Sequence, residues 1–363
     1  MSSEWSEVIG TPFAMEQTAL PVLTIAVPTF NRLATLRLLV TRLSEEFSTE
    51  LGDSVELLIC DNCSLDGTAD FLKDLGNAAG MRVVRHDKNI GPVQNLLSCM
   101  ELANSRYVWL IGDDDLPLRG SGMPILRGLT QYEPALMYLA PRWERGDLSR
   151  FEALGVSNLS FSPVALEKLA LQSRTMITFL SSWIVDRHTY RNLPSADLRR
   201  YSDTSRPHME WLFSLMMSTR PLLITSCPVI LARAGNSGGY DVINTFTKQY
   251  NYIVRDKLGS SIWLSKFYHY LGLYCFLPFL LWEIRLCRAG NFSDETAKDT
   301  IDSLRLEYGT SVFVDHMMPW VLTKRPIVAR GIIFLLSINS RIWILTQWAS
   351  IFSCRLPRDR VET

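Results

Sequence analysis

The sequence predicts an α/β protein with a mostly parallel sheet flanked by helices, followed by a helical C-terminal extension. The first observation is a set of short apolar runs rich in β-branched residues, at 22–28, 55–60, 82–85 and 107–111. The second is that segments with apolar residues at helical spacing alternate with these runs. Strands that alternate with helices indicate βαβ units, and continuous apolar runs are typical of parallel strands buried on both faces.

The first third of the chain supplies these elements in a regular order. Leucines at helical spacing follow the first strand, Gly67 precedes a short helix that begins at Thr68, and Pro92 opens a third helical segment. The predicted order is strand 22–28, helix 32–43, strand 55–60, helix 68–75, strand 82–85, helix 92–103 and strand 107–111. Each strand is therefore followed by a loop at the carboxyl edge of the predicted sheet, where open parallel sheets bind ligands.

The regular alternation of strands and helices ends after Pro134. Further strands are predicted at 136–139, 179–185 and 221–232, with an amphipathic helix at 208–217 and a glycine-rich loop at 235–241. From about residue 246 the chain reads as helical and aromatic. The predicted organisation is a polar arm (1–21), a domain at 22–245 with halves 22–120 and 121–245, and a C-terminal region at 246–363.

Composition narrows the class of protein. Lys+Arg and Asp+Glu both number 37, so there is no net charge to favour nucleic-acid binding. The seven cysteines are odd in number and scattered, which favours reduced thiols. Cys60 and Cys63 form a C-x-x-C, but a zinc site needs a second pair. Residues 1–10 lack a secretory-signal pattern and no run of 18 residues is cleanly apolar, so we expect a cytoplasmic location.

All four predicted strands end in polar loops, and the loop after the fourth contains Asp113, Asp114 and Asp115. Adjacent carboxylates repel one another unless a cation lies among them, and Mg²⁺ or Mn²⁺ prefers such oxygen ligands. A solvated turn that caps a helix is the alternative interpretation of this acidic loop.

The loop DNCSLDGT (61–68) also has two interpretations. It is either a turn or a nucleotide contact through Asp61. No G-x-G-x-x-G follows a strand and no P-loop occurs, so dinucleotide and P-loop sites are not expected.

Together the motifs resemble family 2 glycosyltransferases of the GT-A fold. The matching segments are VPTFNR (27–32), DNCSLDGT (61–68), NIGPVQN (89–95) and YVWLIGDDDLP (107–117). They cover about residues 22–120, with a looser match to about 245. The stretch from 89 to 115 most resembles bacterial deoxysugar transferases of O-antigen assembly, such as abequosyltransferases.

The resemblance implies a nucleotide-sugar donor, Mg²⁺ or Mn²⁺, and inversion at the anomeric carbon. The residues it places around the donor nucleotide are Pro28, Thr29, Asn31, Arg32, Asp61, Ser64, Asp66, Asn89, Gly91, Asn95, Asp113 and Asp114. Asp113 and Asp115 are the expected metal ligands. The family more often has an acidic residue where Gly112 stands, so which two of the three carboxylates contact metal and ribose stays open.

The resemblance also implies a catalytic carboxylate at the start of a helix in the acceptor half. HMEW (208–211) occupies that place, and Glu210 matches the second acid of the usual pair, with Met209 in place of the first. A helix-terminal acid that favours the helix dipole is the alternative, and His208 and Asp203 are the alternative bases. On the acceptor side we expect Ser181, Ser182, His208 and Trp211.

The last hundred residues combine apolar and basic character. Residues 267–282 are nearly all apolar but number only 16, too few to span a bilayer readily. From residue 324 onward the chain has seven Lys or Arg residues and two acidic residues, with Trp, Phe and Leu among them. This pattern favours an interfacial helix on anionic lipid, and the alternative is a helix packed on the domain or on a second copy. Mean hydropathy is +0.07, in keeping with an apolar surface.

The predicted activity is metal-dependent, inverting transfer of a sugar to a hydroxyl of a glycan acceptor in bacterial cell-surface polysaccharide synthesis. We expect a lipid-linked acceptor and a peripheral location on the inner face of the cytoplasmic membrane, with no nucleic-acid partner. Two alternatives are a nucleotidyltransferase that acts on sugar phosphates and a non-catalytic protein that binds sugar nucleotides. The first would need a glycine-rich basic loop near the N-terminus, which VPTFNR is not. The second would need no catalytic base.

Overall fold

The fold is taken from a computed structural model of the chain. It describes residues 20–51, 53–75, 80–194, 196–234, 244–276, 294–309, 313–317 and short helical pieces between 331 and 347. The chain divides into two compact units, Met1–Leu169 with Met176–Asn236, and Ala170–Thr175 with Ser237–Thr363. The predicted arm up to residue 19, the glycine-rich loop 235–241 and much of the apolar, basic C-terminal end lie outside the described residues.

The first unit contains the predicted alternation of strands and helices. Its elements are β1 (Leu23–Thr29), α1 (Leu33–Glu46), β2 (Val55–Asp61), α2 (Thr68–Leu75), β3 (Met81–Arg85), α3 (Pro92–Leu102), β4 (Tyr107–Leu110), β5 (Leu116–Pro117), α4 (Gly122–Tyr132), β6 (Leu136–Tyr138), β7 (Pro141–Arg145), β8 (Phe161–Val164), α5 (Leu166–Ser173), β9 (Trp183–Asp186), α6 (Arg187–Arg191), α7 (His208–Met216), β10 (Leu222–Thr225) and β11 (Ile230–Ala234). The last residues of α5 fall in the second unit.

The main sheet has eight strands in the order β3-β2-β1-β4-β9-β6-β10-β8. Strands β1 to β4 run parallel, with Ile25 of β1 opposite both Leu57 of β2 and Trp109 of β4. Strand β9 is antiparallel to its neighbours β4 and β6, and β8 is antiparallel to β10. The α/β class with a mostly parallel sheet is therefore confirmed.

Helices cover the sheet because their leucines recur at helical spacing. Leu36, Leu39 and Leu43 of α1 are fully buried, as are Leu97 and Met100 of α3. Fully burying one such side chain stabilises the folded state by about 1.5–3 kcal/mol. This packing holds the loops that follow β1 to β4 at one edge of the sheet.

The sequence-based elements were less accurate in the second half of the unit. The predicted strand 179–185 begins as a 3-10 turn at Leu180–Ser182 and becomes extended only at β9, because Ser181 turns to bond the loop after β4. The predicted strand 221–232 divides into β10 and β11, and β11 belongs to a separate sheet with the order β5-β11-β7. Strands β5, β7 and β8 were not predicted.

The described part of the second unit is helical, in agreement with the predicted extension. Its α-helices are α8 (Tyr250–Leu258), α9 (Ile262–Leu271) and α10 (Asp294–Tyr308). The hydroxyl of Tyr250 donates to the carbonyl of Tyr268 at 2.8 Å, which links α8 to α9. Searching the described residues finds no helix with the length and apolar character needed to cross a bilayer.

Candidate active site

Three polar loops meet where β1, β2 and β3 end. The amide of Asn62 donates to the carbonyl of Thr29 at 2.9 Å, and the amide of His86 donates to the carbonyl of Asp61 at 2.9 Å. Beside them, the amide of Ile111 donates to the carbonyl of Ala26 at 3.1 Å and places the start of the acidic loop next to β1. The predicted convergence of polar loops at this edge therefore follows from the order of the strands.

Asp113 and Asp114 share a partner from the loop after β1. Nη1 of Arg32 lies 3.1 Å from Oδ1 of Asp113 and 2.9 Å from Oδ2 of Asp114. The hydroxyl of Thr29 donates to Oδ2 of Asp113 at 2.8 Å. The two motifs that the sequence placed around the donor, VPTFNR and the acidic loop, thus contact each other directly.

Asp115 points to a different set of partners. Its Oδ2 accepts from the hydroxyl of Ser181 at 2.6 Å, and its Oδ1 accepts from the backbone amide of Arg233 at 3.1 Å. Ser181 also accepts from the amide of Gly112 at 2.9 Å, so one hydroxyl bridges both ends of the acidic loop. Ser181, predicted on the acceptor side, therefore holds the acidic loop, and Arg233 is a contact that sequence reasoning missed.

Burial and the charge of neighbouring carboxylates raise the pKa values of two carboxyl groups in the acidic loop. Burial raises the pKa of Asp113 to about 6, with Arg32 lowering it and Asp114 raising it further. Burial and the charge of Asp114 raise the pKa of Asp115 to about 8. Both shifts mean that the pocket disfavours the ionised carboxyl groups unless positive charge is added. The donor set, made of carboxylate oxygens alone, therefore suits a hard divalent cation.

The arrangement does not form an all-protein metal cage. Over the residues that the structure describes, no cluster of three or more His, Cys, Asp or Glu side chains has the geometry to hold a metal ion. Mg²⁺ in nucleotide sites is commonly held by one or two carboxylates together with substrate phosphates. The residues present thus fit an ion whose remaining ligands come from a bound diphosphate.

The DNCSLDGT loop holds neighbouring loops and helix starts together at the carboxyl edge of the sheet through hydrogen bonds. Oδ2 of Asp66 accepts from the amide of Leu33 at 2.9 Å, and its Oδ1 accepts from the hydroxyl of Thr68 at 2.6 Å. Asp66 thereby satisfies donors at the starts of both α1 and α2. The hydroxyl of Ser64 accepts from the amide of Asn31 at 2.8 Å, with Asn31 in the left-handed region at φ 51°. These contacts show a scaffolding role beside the predicted nucleotide role.

Asp61 is fully buried at the end of β2. Its Oδ1 accepts from the amide of Ser64 at 3.1 Å, and its Oδ2 lies 3.2 Å from Nε of Arg85. The structure therefore gives Asp61 partners inside the protein, and its contact with a nucleotide base stays a prediction.

The third loop is tied to the second by side-chain amides. Nδ2 of Asn62 donates to Oδ1 of Asn89 at 2.9 Å, and that same oxygen accepts from the amide of Gly91 at 2.8 Å. Gly91 has φ 87°, a value that favours glycine. Asn95 donates to the carbonyl of Cys60 at 3.0 Å. Asn62 was missed as a site residue although it lies inside a quoted motif.

Pro28 ends the apolar part of β1, opposite Cys60 of β2. Cys60 is buried and Cys63 is half-buried, and the thiol of Cys63 donates to the carbonyl of Asp87 at 3.5 Å. Among the described cysteines, all five are free thiols (Cys60, Cys63, Cys99, Cys227 and Cys275).

Glu210 lies in the first turn of α7 and is buried. Its Oε2 accepts from the hydroxyl of Tyr190, and its Oε1 accepts from the hydroxyl of Ser214 at 3.0 Å. Tyr190 in turn accepts from the amide of Asp197 at 3.0 Å. Sequence reasoning missed Tyr190 and Ser214, since neither belongs to a quoted motif.

The start of α7 lies near the segment that holds the acidic loop. His208 is hydrogen-bonded to the backbone of Thr178, three residues before Ser181. Burial and the charge of Arg206 lower the pKa of His208 to about 3, so its imidazole is neutral. Of the four residues predicted on the acceptor side, three have a buried polar atom without a hydrogen-bond partner in the described part of the chain, namely Oγ of Ser182, Nε2 of His208 and Nε1 of Trp211. Asp203, the other alternative base, is exposed.

Comparison with known proteins supports the resemblance that the motifs indicate. Residues 24–169 match the family model described as "Glycosyl transferase family 2", and this stretch contains the acidic loop and the motifs it contacts. Residues 24–169 are therefore similar to a family 2 glycosyltransferase domain. The chain is a glycosyltransferase, as the motifs predicted, and it is similar to the abequosyltransferase RfbV of Salmonella typhimurium. The two are 27% identical over 230 residues, which cover 59% of this chain and 67% of RfbV.

Solved structures agree with this fold. The transferase is similar to residues 1–349 of S. aureus TarS, with a TM-score of 0.53, 14% identity and 91% of each chain covered. It is also similar to the longer TarS structure, with a TM-score of 0.55 and 15% identity over 88% of this chain and 54% of that one. At such identities the likeness concerns the fold, and it confirms the predicted GT-A class.

Proposed function

We propose that this glycosyltransferase moves a sugar from a nucleotide-sugar donor to a hydroxyl of a glycan acceptor in bacterial cell-surface polysaccharide synthesis. The observation that carries the proposal is the contact of Thr29 and Arg32 with Asp113 at the carboxyl edge of the sheet. This edge is where open parallel sheets bind nucleotides. Two relatives support it, since RfbV is an abequosyltransferase and residues 1–349 of TarS have been crystallised with UDP-GlcNAc.

A divalent cation, Mg²⁺ or Mn²⁺, is part of this proposal. Asp113 and Asp114 would hold it, because Arg32, which contacts both, is a partly exposed side chain that can move to a ligand phosphate. Asp115 was a predicted ligand, but its oxygens accept from the buried hydroxyl of Ser181 and from the backbone amide of Arg233, and neither donor belongs to a partly exposed side chain that could move to a phosphate as Arg32 can; this favours a positioning role for Asp115. When bound, such an ion stabilises the negative charge that develops on the leaving diphosphate.

In the proposed reaction an acceptor hydroxyl attacks the anomeric carbon as the bond to the diphosphate oxygen breaks. Arg32 binds the departing diphosphate, and Glu210 takes the proton of the attacking hydroxyl. The hydroxyls of Tyr190 and Ser214 hold the Glu210 carboxylate in one orientation. A positioned general base contributes roughly 10²–10⁴-fold to the rate. One displacement on the face opposite the leaving group inverts the anomeric configuration.

The test uses Glu210→Gln with Glu152→Gln as its matched control, since the hydrogen bonds that Glu152 makes to other described residues run through its backbone. Transfer should fall by about 10²-fold or more in Glu210→Gln, while Mn²⁺-dependent binding of a nucleoside diphosphate stays as in wild type. Glu152→Gln should keep full turnover. Unchanged turnover in Glu210→Gln would show that Glu210 is not the general base.

We also propose that the acceptor is lipid-linked and that the C-terminal region lies on the inner face of the cytoplasmic membrane. Five large apolar side chains in its described helical pieces are at least 41% exposed, namely Phe334, Leu335, Ile338, Ile342 and Leu345. Exposed apolar side chains beside basic residues favour anionic lipid surfaces.

A double variant tests the membrane proposal. Ile342→Glu with Leu345→Glu should reduce co-sedimentation with phosphatidylglycerol vesicles several-fold, because each change places a carboxylate at the anionic interface. Leu306→Glu is the control, since Leu306 is 76% exposed but lies in α10. Equal sedimentation of all three proteins would contradict the proposal and would favour a packed or oligomeric tail.

A further inference from the structure

We propose that the amino-terminal edge of the sheet, opposite the acidic loop, carries a second binding pocket that takes a phosphate group. The pocket has a volume of about 480 Å³ and lies where β4 begins and β9 ends, beside Leu20 and Tyr107. Ligand pockets commonly measure about 300–1,000 Å³. Asp113 lies beyond the other end of β4, so this pocket is separate from the proposed donor site.

The pocket is lined by positive charge that carboxylates do not cancel. Nε of Arg187 donates to the carbonyl of Met100 and its Nη2 to the carbonyl of Glu101, both at 3.0 Å. Arg191 lines the same pocket from an exposed position. Within the described ranges, neither arginine pairs with an acidic side chain. Burial and the nearby charge of Arg191 lower the pKa of Arg187 to about 10, which agrees with an unbalanced positive site.

Glu133, which lines the pocket, and Asp186, which lies beside it, are already paired with arginines. Glu133 lies 3.2 Å from Nη1 of Arg106 and 3.0 Å from Nη2 of Arg220. Asp186 lies 3.2 Å from Nε of Arg106 and accepts from the hydroxyl of Thr189 at 2.8 Å. These pairs leave Arg187 and Arg191 as the charges available to an anion.

A buried hydroxyl faces the same pocket without a partner. Tyr107 is 2% exposed and lines the pocket, and its hydroxyl makes no hydrogen bond to any described residue. Leaving a buried hydroxyl unpaired costs free energy, so such a group is expected to meet a ligand or a water. An anion with several acceptor oxygens would satisfy this hydroxyl and both guanidinium groups together.

A phosphate group matches these donors. Its tetrahedral oxygens accept several hydrogen bonds at once, and its negative charge attracts the two arginines, which have no carboxylate partner among the described residues. The same chemistry is offered by a soluble phosphate ester and by a lipid headgroup. The inference is independent of the proposed transfer reaction, since the pocket shares no residue with the acidic loop.

The experiment titrates the full chain with inorganic pyrophosphate in EDTA, followed by ³¹P NMR. Without metal, the negative charge of Asp113 and Asp114 repels the anion from the acidic loop, and a loss of binding in variants of the second pocket assigns the binding to that pocket. Arg191→Gln and Tyr107→Phe should each weaken binding about tenfold or more, the loss expected for one hydrogen bond to a charged group. Arg142→Gln is the control, because Arg142 lies in β7 and pairs with Glu144 at the surface.

Tyr107→Phe controls for misfolding, because it removes only an unpaired hydroxyl. The variant protein should have a melting temperature at or above that of wild type. Co-sedimentation with phosphatidylglycerol vesicles distinguishes a lipid headgroup from a soluble phosphate ester as the source of the phosphate. Loss of vesicle binding in Arg191→Gln and Tyr107→Phe assigns a lipid headgroup, and unchanged vesicle binding assigns a soluble phosphate. Absence of saturable pyrophosphate binding by wild type, or equal binding by wild type, Arg191→Gln and Tyr107→Phe, would overturn the proposal.

Discussion

Replacing Ser181 by alanine should destabilise the acidic loop through two lost hydrogen bonds. The Ser181 hydroxyl donates to Asp115 at 2.6 Å and accepts from the amide of Gly112 at 2.9 Å. At pH 7, below the raised pKa of Asp115, both bonds join neutral groups and contribute about 0.5–1.5 kcal/mol each. Ser181→Ala should therefore lower the free energy of unfolding by about 1–3 kcal/mol.

The loss should grow with pH because Asp115 ionises. A hydrogen bond to a charged carboxylate contributes about 1.5–3 kcal/mol, so the cost at pH 9 should reach about 2–4.5 kcal/mol. The assay is equilibrium urea unfolding in EDTA at both pH values, followed by circular dichroism. Hydrogen exchange of the Gly112 amide provides a local measurement, since that amide should lose its protection in the variant.

Ser182→Ala is the matched control, one residue away. Ser182 is also fully buried, but among the described residues its hydroxyl has no hydrogen-bond partner. Removing it should leave stability within about 0.5 kcal/mol of wild type or raise it. If Ser181→Ala and Ser182→Ala change stability equally, or if the Gly112 amide stays protected, the assigned bridge does not hold the loop.

Three further predictions follow from the same cluster and from α7. Gly112→Ala should lower Mn²⁺ affinity in calorimetry, because its Cβ would lie 3.0 Å from Oδ2 of Asp115 and 3.3 Å from Oδ1 of Asp114; unchanged affinity would contradict this. Mn²⁺ affinity should rise from pH 5 to 8, since a cation competes with the proton that a pKa of about 6 keeps on Asp113; a flat profile would exclude this carboxylate as a ligand. Tyr190→Phe should lower kcat about tenfold with little change in KM, because Glu210 loses an orienting donor, and an unchanged kcat would argue against that role.

The fold of the first third was predictable because each strand there is buried on both faces and each helix has its own leucine stripe. The meeting of Arg32 with Asp113 also followed, since parallel strands bring their carboxyl ends to one edge. Contacts between residues that lie far apart in the sequence could not be predicted in this way. Arg233 meets Asp115 through its backbone amide across 118 residues, and no side-chain type marks such a donor in a sequence.

The less accurate parts share a physical cause. Residues 179–182 are apolar enough to read as strand, yet Ser181 turns toward Asp115 and Gly112, so tertiary contacts overrode the local pattern. For Asp66, which its motif placed around the nucleotide, the structure adds contacts that cap two helices, and its contact with a nucleotide stays a prediction. A motif thus locates a loop more reliably than it assigns the role of each side chain in it.

The central claim is that the acidic loop and Arg32 form a metal-dependent site for a nucleotide-sugar donor. The most direct measurement is calorimetric titration of a panel of nucleoside diphosphates, with Mn²⁺ and with EDTA, into wild type and Asp113→Asn. Binding of one nucleotide should require Mn²⁺ and should weaken about tenfold or more in Asp113→Asn, because the site loses a charged oxygen ligand. Equal binding in Mn²⁺ and EDTA, or equal binding by wild type and Asp113→Asn, would contradict it.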